Sequence, residues 1–360
     1  MRSMERDGVV AMMGKWAAGL AMLGLVGCGQ PTQLGSSSSA ARSAAPTATG
    51  VLPTAATPPK AGQTASVFGT CRLPVMTGRT TGAPPAGWLE VPKGTFSLDQ
   101  SSLELASATV VAWDAGAGRW VPTDPSHISP DGATYLSDVG SDIVDAGTGA
   151  IVHQISGPTQ VANFAIGYTA SAIYFVHRGI DAVPGLWKAD ISSGALTQVS
   201  AAKGDWELAD DTAAWGVDTT ANNVRTLRRL DLSTGVVTDV YTAAQNSREM
   251  LVAGFAGSGV LVVTDDGTQT LVVLVAHPDG SVANVDIPPM LLHGGLGSPN
   301  GIVQDGPAVL MVAVYPLDWP QPPAGLHGWG LAAYDPDHGL QLVATNTPQE
   351  MILLGRCMSV

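Results

Sequence analysis

The chain is 360 residues long, carries a formal net charge of −13, and has 13% charged against 45% apolar residues. Such acidity, with no local cluster of Lys or Arg, excludes nucleic acid as a partner and excludes docking on anionic lipid heads, since both need concentrated positive charge. The apolar share excludes a disordered chain, and 43 glycines in so uncharged a sequence suit an all-β protein with many tight turns.

Residues 1–27 read as a secretory signal peptide. Arg2, Arg6 and Lys15 supply positive charge, and Trp16 to Val26 form an apolar run of 11 residues. A bilayer span needs about 20, so this run fits the short apolar region of a signal instead. The charged stretch also holds Glu5 and Asp7, and initiation at Met4, Met12 or Met13 would shorten it. Leu25-Val26-Gly27-Cys28 resembles the lipobox of bacterial lipoproteins. The resemblance implies cleavage before Cys28, a diacylglyceryl group on its thiol, and a chain anchored to the bacterial cell membrane on its extracytoplasmic side. The alternative is an ordinary cleaved signal with a chance cysteine. Residues 28–66 are dominated by Ser, Ala, Thr, Pro and Gly and contain almost no large apolar side chains, so they are expected to form a disordered tether.

From residue 67 to 360 one turn recurs. Asp-x-x-x-Gly appears at Asp114–Gly118, Asp145–Gly149, Asp190–Gly194, Asp231–Gly235 and Asp335–Gly339, and "VAHPDGSV" places Gly280 in the same role without the leading Asp. Asp accepts hydrogen bonds from amides two residues on and Gly tolerates positive φ, so the pattern makes a hairpin turn between strands. Apolar or alternating strands precede the turns: "TYLSDV", "AIYFVHR", "TAAWGVD", "GVLVVTD" and "AVLMVAVYP". A multi-stranded unit every 40 to 50 residues or so is the pattern of a β-propeller blade. Six markers predict an all-β, six-bladed propeller over 67–360; seven blades would leave one without a marker.

Ser129 to Gly149, "SPDGATYLSDVGSDIVDAGTG", resembles the repeat of TolB-like six-bladed propellers, in which a Ser-Pro-Asp-Gly turn leads into a strand and then an Asp-x-x-x-Gly turn. The resemblance implies the fold and leaves the role open. A propeller brings its two ends together in one closing blade, so a disulfide between Cys71 and Cys357 is expected in an oxidising compartment; two free buried thiols are the alternative.

No catalytic motif stands out, and neither a cofactor nor a metal site is expected. "GGLGSPNG" at 294–301 lacks the following helix of a phosphate loop, and "DPDHG" at 335–339 lacks most ligands of a calcium loop. Histidines 127, 153, 177, 277, 293, 327 and 338 show no metal spacing within one element. With strands labelled A to D from the axis outward, the Asp–Gly turns are C–D connections. The B–C connections are then 178–186, 217–224, 265–269 and 315–328, and the longest D–A connection is 288–300. The two long excursions share the last marked blade and one face, which makes His293, Asp318, Trp319, His327 and Trp329 candidate binding residues.

Three readings follow for the function. One is a binding or scaffolding module, a monomer, whose partner is an envelope protein or a small ligand. Another is an extracytoplasmic hydrolase, lyase or cyclotransferase working at the central funnel. The third is an envelope-maintenance role without a specific ligand.

Overall fold

In the computed structural model the strands fall into a ring of six β-sheets plus one small hairpin. The structure describes residues 69–77, 86–105, 107–137, 141–155, 162–178, 184–202, 204–220, 222–268, 270–292, 294–297, 301–316 and 327–359, all within one unit, Ala55–Val360. Cys28, the signal and the whole of the tether lie outside them.

Blade three shows the plan: Ala162–Tyr168, Ala172–Arg178, Leu186–Asp190 and Leu196–Ser200 pair antiparallel in chain order. Blade four (Trp206–Ala209, Ala213–Thr219, Arg225–Asp231, Val237–Thr242) and blade five (Met250–Ala256, Gly259–Asp265, Leu271–Ala276, Val282–Asn284) repeat it. In blade six the inner strand is split into Gly295–Leu296 and Ile302–Asp305, followed by Ala308–Pro316, His327–Asp335 and Gly339–Thr345. Blade two has Thr134–Leu136, Asp142–Asp145 and Ile151–Gln154, and among the described residues its inner side carries only an isolated bridge from Ile128 to Tyr135.

Blade one closes the ring. Its outer strands Cys71–Met76, Ala86–Val91 and Thr95–Leu98 come from the start of the domain, and its inner strand comes from the end, Ile352–Leu353 and Met358–Ser359. The pairs Val75↔Leu353 and Cys71↔Ser359 set the seam. Cys71 and Cys357, with Cα atoms 5.7 Å apart, form a disulfide across it.

The second strand of each blade explains why those segments read as unbroken apolar runs. Its side chains alternate between two neighbours, and both are other blades. Ile173 and Phe175 pack toward blade two while Tyr174 and Val176 pack toward blade four. Likewise Val260 and Val262 face blade four, and Leu261 and Val263 face blade six. The core is therefore a ring of interfaces with no single centre.

Five markers work as expected. In the turn after Asp231, Oδ1 accepts from the amides of Ser233 at 3.1 Å and Thr234 at 3.0 Å, and Gly235 sits at φ 72°. Asp114–Gly118 does not join the outer strands of a blade. It links Ala112–Asp114 to Arg119–Val121, a two-stranded hairpin wedged between blades one and two. The blade without a marker is blade one, the closing sheet, whose outer turn at Lys93-Gly94 has no Asp.

Candidate functional site

The predicted binding face is the end of blade six where its second and third strands meet. Ala308–Pro316 and His327–Asp335 are nine residues each, longer than any other described strand, and stay paired to Pro316↔His327. The connection above them, 317–326, is longer than those at 179–185, 220–224 and 266–270 on the same side of blades three to five.

At the same end, the approach to blade six is more ordered than a free loop. A 3-10 turn, Pro289–Leu291, buries Leu291 in the interface between blades five and six, and Leu296 follows it there. Gly295–Leu296 adds a short strand against Val314 and Ala313. Gly294 makes this approach possible, because a Cβ there would lie 2.0 Å from the Val314 carbonyl oxygen. The 288–300 excursion thus serves the core as well as the surface.

Of the candidate binding residues, His293, Asp318 and Trp319 lie outside the described residues. His327 opens the third strand opposite Pro316, and its side chain is likewise outside the description. Trp329 stands two positions further along the same strand, half-buried against the seam between blades six and one. Its carbonyl accepts from Thr347 N–H at 3.0 Å. The structure therefore gives Trp329 a place in the ladder beneath the connection, where the sequence reading put it in the binding loops.

The buried ionisable groups have local explanations. Asp305 is buried beside the seam, where Oδ2 accepts from Cys357 N–H at 3.2 Å, and burial pushes its carboxyl up. Asp114 is fully buried and its carboxyl is also raised by burial, while Oδ1 caps the amides of Gly116 and Ala117. His177 is buried against Trp187 with ring centroids 4.9 Å apart, and burial lowers its pKa. The exposed turn aspartates go the other way: hydroxyl and amide donors hold Asp145 and Asp190 below the usual range and bring Asp266 to about 2. Among the described residues no group of three or more His, Cys, Asp or Glu could hold a metal ion.

The opposite end of the ring holds a feature that the sequence reading missed. Between blades four and five a cleft of about 200 Å³ is lined by Asp210, Trp215, Arg229, Phe255, Ser258 and Pro278, among others. It opens beside turns that join first to second strands and third to fourth strands. Its one sequence sign was "TLRRL", two adjacent arginines in a chain with 17 basic residues.

No family model and no curated protein matches the chain. Among solved structures, the chain is similar to an oligogalacturonate lyase in complex with manganese, at 16% identity and a TM-score of 0.39. That match spans 61% of this chain and 63% of the lyase, less than two thirds of the lyase's own length. It is also similar to a putative TolB from Agrobacterium tumefaciens, at 14% identity over 67% of this chain and 92% of that one, with a TM-score of 0.39. TolB from Acinetobacter baumannii matches at 16% identity over 76% of this chain and 67% of that one, with a TM-score of 0.38. The six-bladed arrangement itself is read from the sheets.

Proposed function

We propose that the chain is a lipid-anchored, extracytoplasmic binding module that presents the far end of blade six to a partner. The observation that supports the reading is the pair of nine-residue strands carrying the 317–326 connection, a long loop on a rigid base. The buried Cys71–Cys357 bridge favours an oxidising compartment, and the Leu25–Cys28 motif supports anchoring through Cys28. The partner is an envelope protein or a small ligand.

The test replaces 317–326 with a two-residue Asn-Gly turn, which suits a hairpin closed by Pro316 and His327. The 288–300 excursion is left intact because Leu291 and Leu296 are buried. Membranes from the native envelope are then presented to the wild type and to the shortened protein. Capture by the wild type alone, at equal Tm, is the expected result; equal capture by both overturns the reading. For the anchor, Cys28→Ser is expected to release the chain into the soluble fraction and abolish incorporation of labelled fatty acid.

A further inference from the structure

Blades two and three meet through apolar side chains, and one titratable ring is set among them. Ile173, Phe175 and Ala189 of blade three pack on Leu136, Ile143 and Ile155 of blade two. His177 continues the alternation of Ile173 and Phe175, so it stands on the same face, near the end of its strand opposite Asn163. Only 7% of the residue is exposed, and both ring nitrogens, Nδ1 and Nε2, are buried without a partner. Trp187 lies beside it on that face, and its Nε1 is buried and unpartnered as well.

A neutral imidazole carries one N–H and one bare nitrogen. This ring therefore leaves both a donor and an acceptor unmet in an apolar interface, a cost that Leu or Phe would not carry. A proton makes the mismatch worse, because both nitrogens then donate and a full charge has to be compensated.

Among the described residues no compensation is in reach. The titratable groups on the two facing surfaces are Tyr168 of blade three and Asp145 and His153 of blade two. Tyr168 is hydrogen-bonded to Thr134 at 2.7 Å, Asp145 accepts from Thr148 within its own turn, and His153 packs beside Gly194. Asp142 and Lys188 alternate onto the other faces of their sheets, Lys188 over the Tyr174 ring. None of these acts on His177, whose pKa is lowered by burial alone.

The ring also sits where the sheet is easiest to release. The third strand of blade three stops pairing with the second at Val176↔Leu186, so His177 and Arg178 are held from one side, by Asn163 and Ala162. Strand ends held in this way open far more readily than the whole fold.

We propose that His177 is an acid-sensitive latch: on taking up a proton it leaves the interface with blade two, and the strand ends at 162–164 and 176–178 open with it. The open form binds the proton at the ordinary histidine value of 6.5, and the closed form resists it. The open population therefore grows as pH falls below that value, by at most about tenfold per pH unit. The latch makes no use of the blade-six loop and stands apart from the binding reading.

Backbone hydrogen exchange of the purified full chain, read by mass spectrometry and divided by the intrinsic rate at each pH, tests the latch. From neutral to mildly acidic pH, protection in Ala162–Tyr168 and Ala172–Arg178 is expected to fall roughly three- to tenfold per pH unit, while Gly259–Asp265 of blade five holds. His177→Phe and His177→Gln, neither of which titrates, should each abolish the fall; two replacements of different polarity guard against one that does not fold. Constant protection in the wild type, an equal fall in blade five, or an undiminished fall in either folded variant overturns the proposal.

Discussion

Glu207 of blade four accepts the backbone N–H of Val252 in blade five at 2.9 Å. Both lie on inner strands, so a side chain substitutes for the backbone pairing that two separate sheets cannot make with each other. Gln304 repeats the device between blades six and five, accepting from Phe255 N–H at 2.8 Å. Glu207→Ala is expected to cost about 1.5–3 kcal/mol, the range for a hydrogen bond to a charged group. Glu207→Gln, which keeps an acceptor, should cost less. Urea unfolding midpoints at constant m-value provide the measure, and equal losses in the two variants would mean that the bond to Val252 does not matter.

The seam gives a second prediction. Cys71 and Cys357 are 286 residues apart, so their bridge closes nearly the whole domain into one loop. In the chain-entropy model such a closure is worth roughly 5.7 kcal/mol at most. A Cys71→Ser, Cys357→Ser double variant should unfold at clearly lower denaturant. Reductant should shift the wild type toward it and leave the variant unchanged.

His177 should make stability fall on acidification. Burial disfavours its charged form, so its folded pKa lies below the ordinary value of 6.5. Its contribution is complete above pH about 6.5. As pH falls below that, the unfolded chain takes up a proton that the folded chain resists, and stability declines. No charged group is among the causes of its shift. The His177→Leu variant, followed by thermal unfolding between mildly acidic and neutral pH, should show a flatter profile than the wild type. A parallel profile would contradict the assignment.

Gly294→Ala should strain the approach to blade six, since the new Cβ has only 2.0 Å to the Val314 carbonyl oxygen. A loss of about 1–3 kcal/mol is expected, the usual range for overpacking. Gly295→Ala, where a Cβ meets nothing within 4 Å, is the matched control for thermal unfolding. If the two variants melt together, the close approach is not what holds this segment.

The parts of the fold that could be read in advance were those fixed by neighbours in sequence. Asp145 and Gly149, or Asp231 and Gly235, complete their turns with atoms no more than five residues away. The unbroken run Val260 to Val263 likewise states its own burial on two sides. Asp114 and Gly118 carry the same turn chemistry, yet their hairpin belongs to no blade. Its place is set by distant contacts, such as Trp113 N–H donating to Leu354 O at 2.8 Å. The closing sheet carries no such signal because Gly94 turns without an Asp; a Cβ there would meet Thr345 O at 2.4 Å. The Arg229 cleft was illegible for a similar reason: Asp210, Ser258 and Pro278 come from three separate turns that only the ring brings together.

Because Ile352–Leu353 and Met358–Ser359 form the innermost strand of the first sheet, the ring cannot shut until those residues have emerged from the ribosome. Until then Leu73, Val75 and Leu89 have no cover from that strand. A chain cut short before those closing residues is left open, with the inner edge of blade one bare. Pairings as remote in sequence as Val75 and Leu353 also place this protein among slow folders.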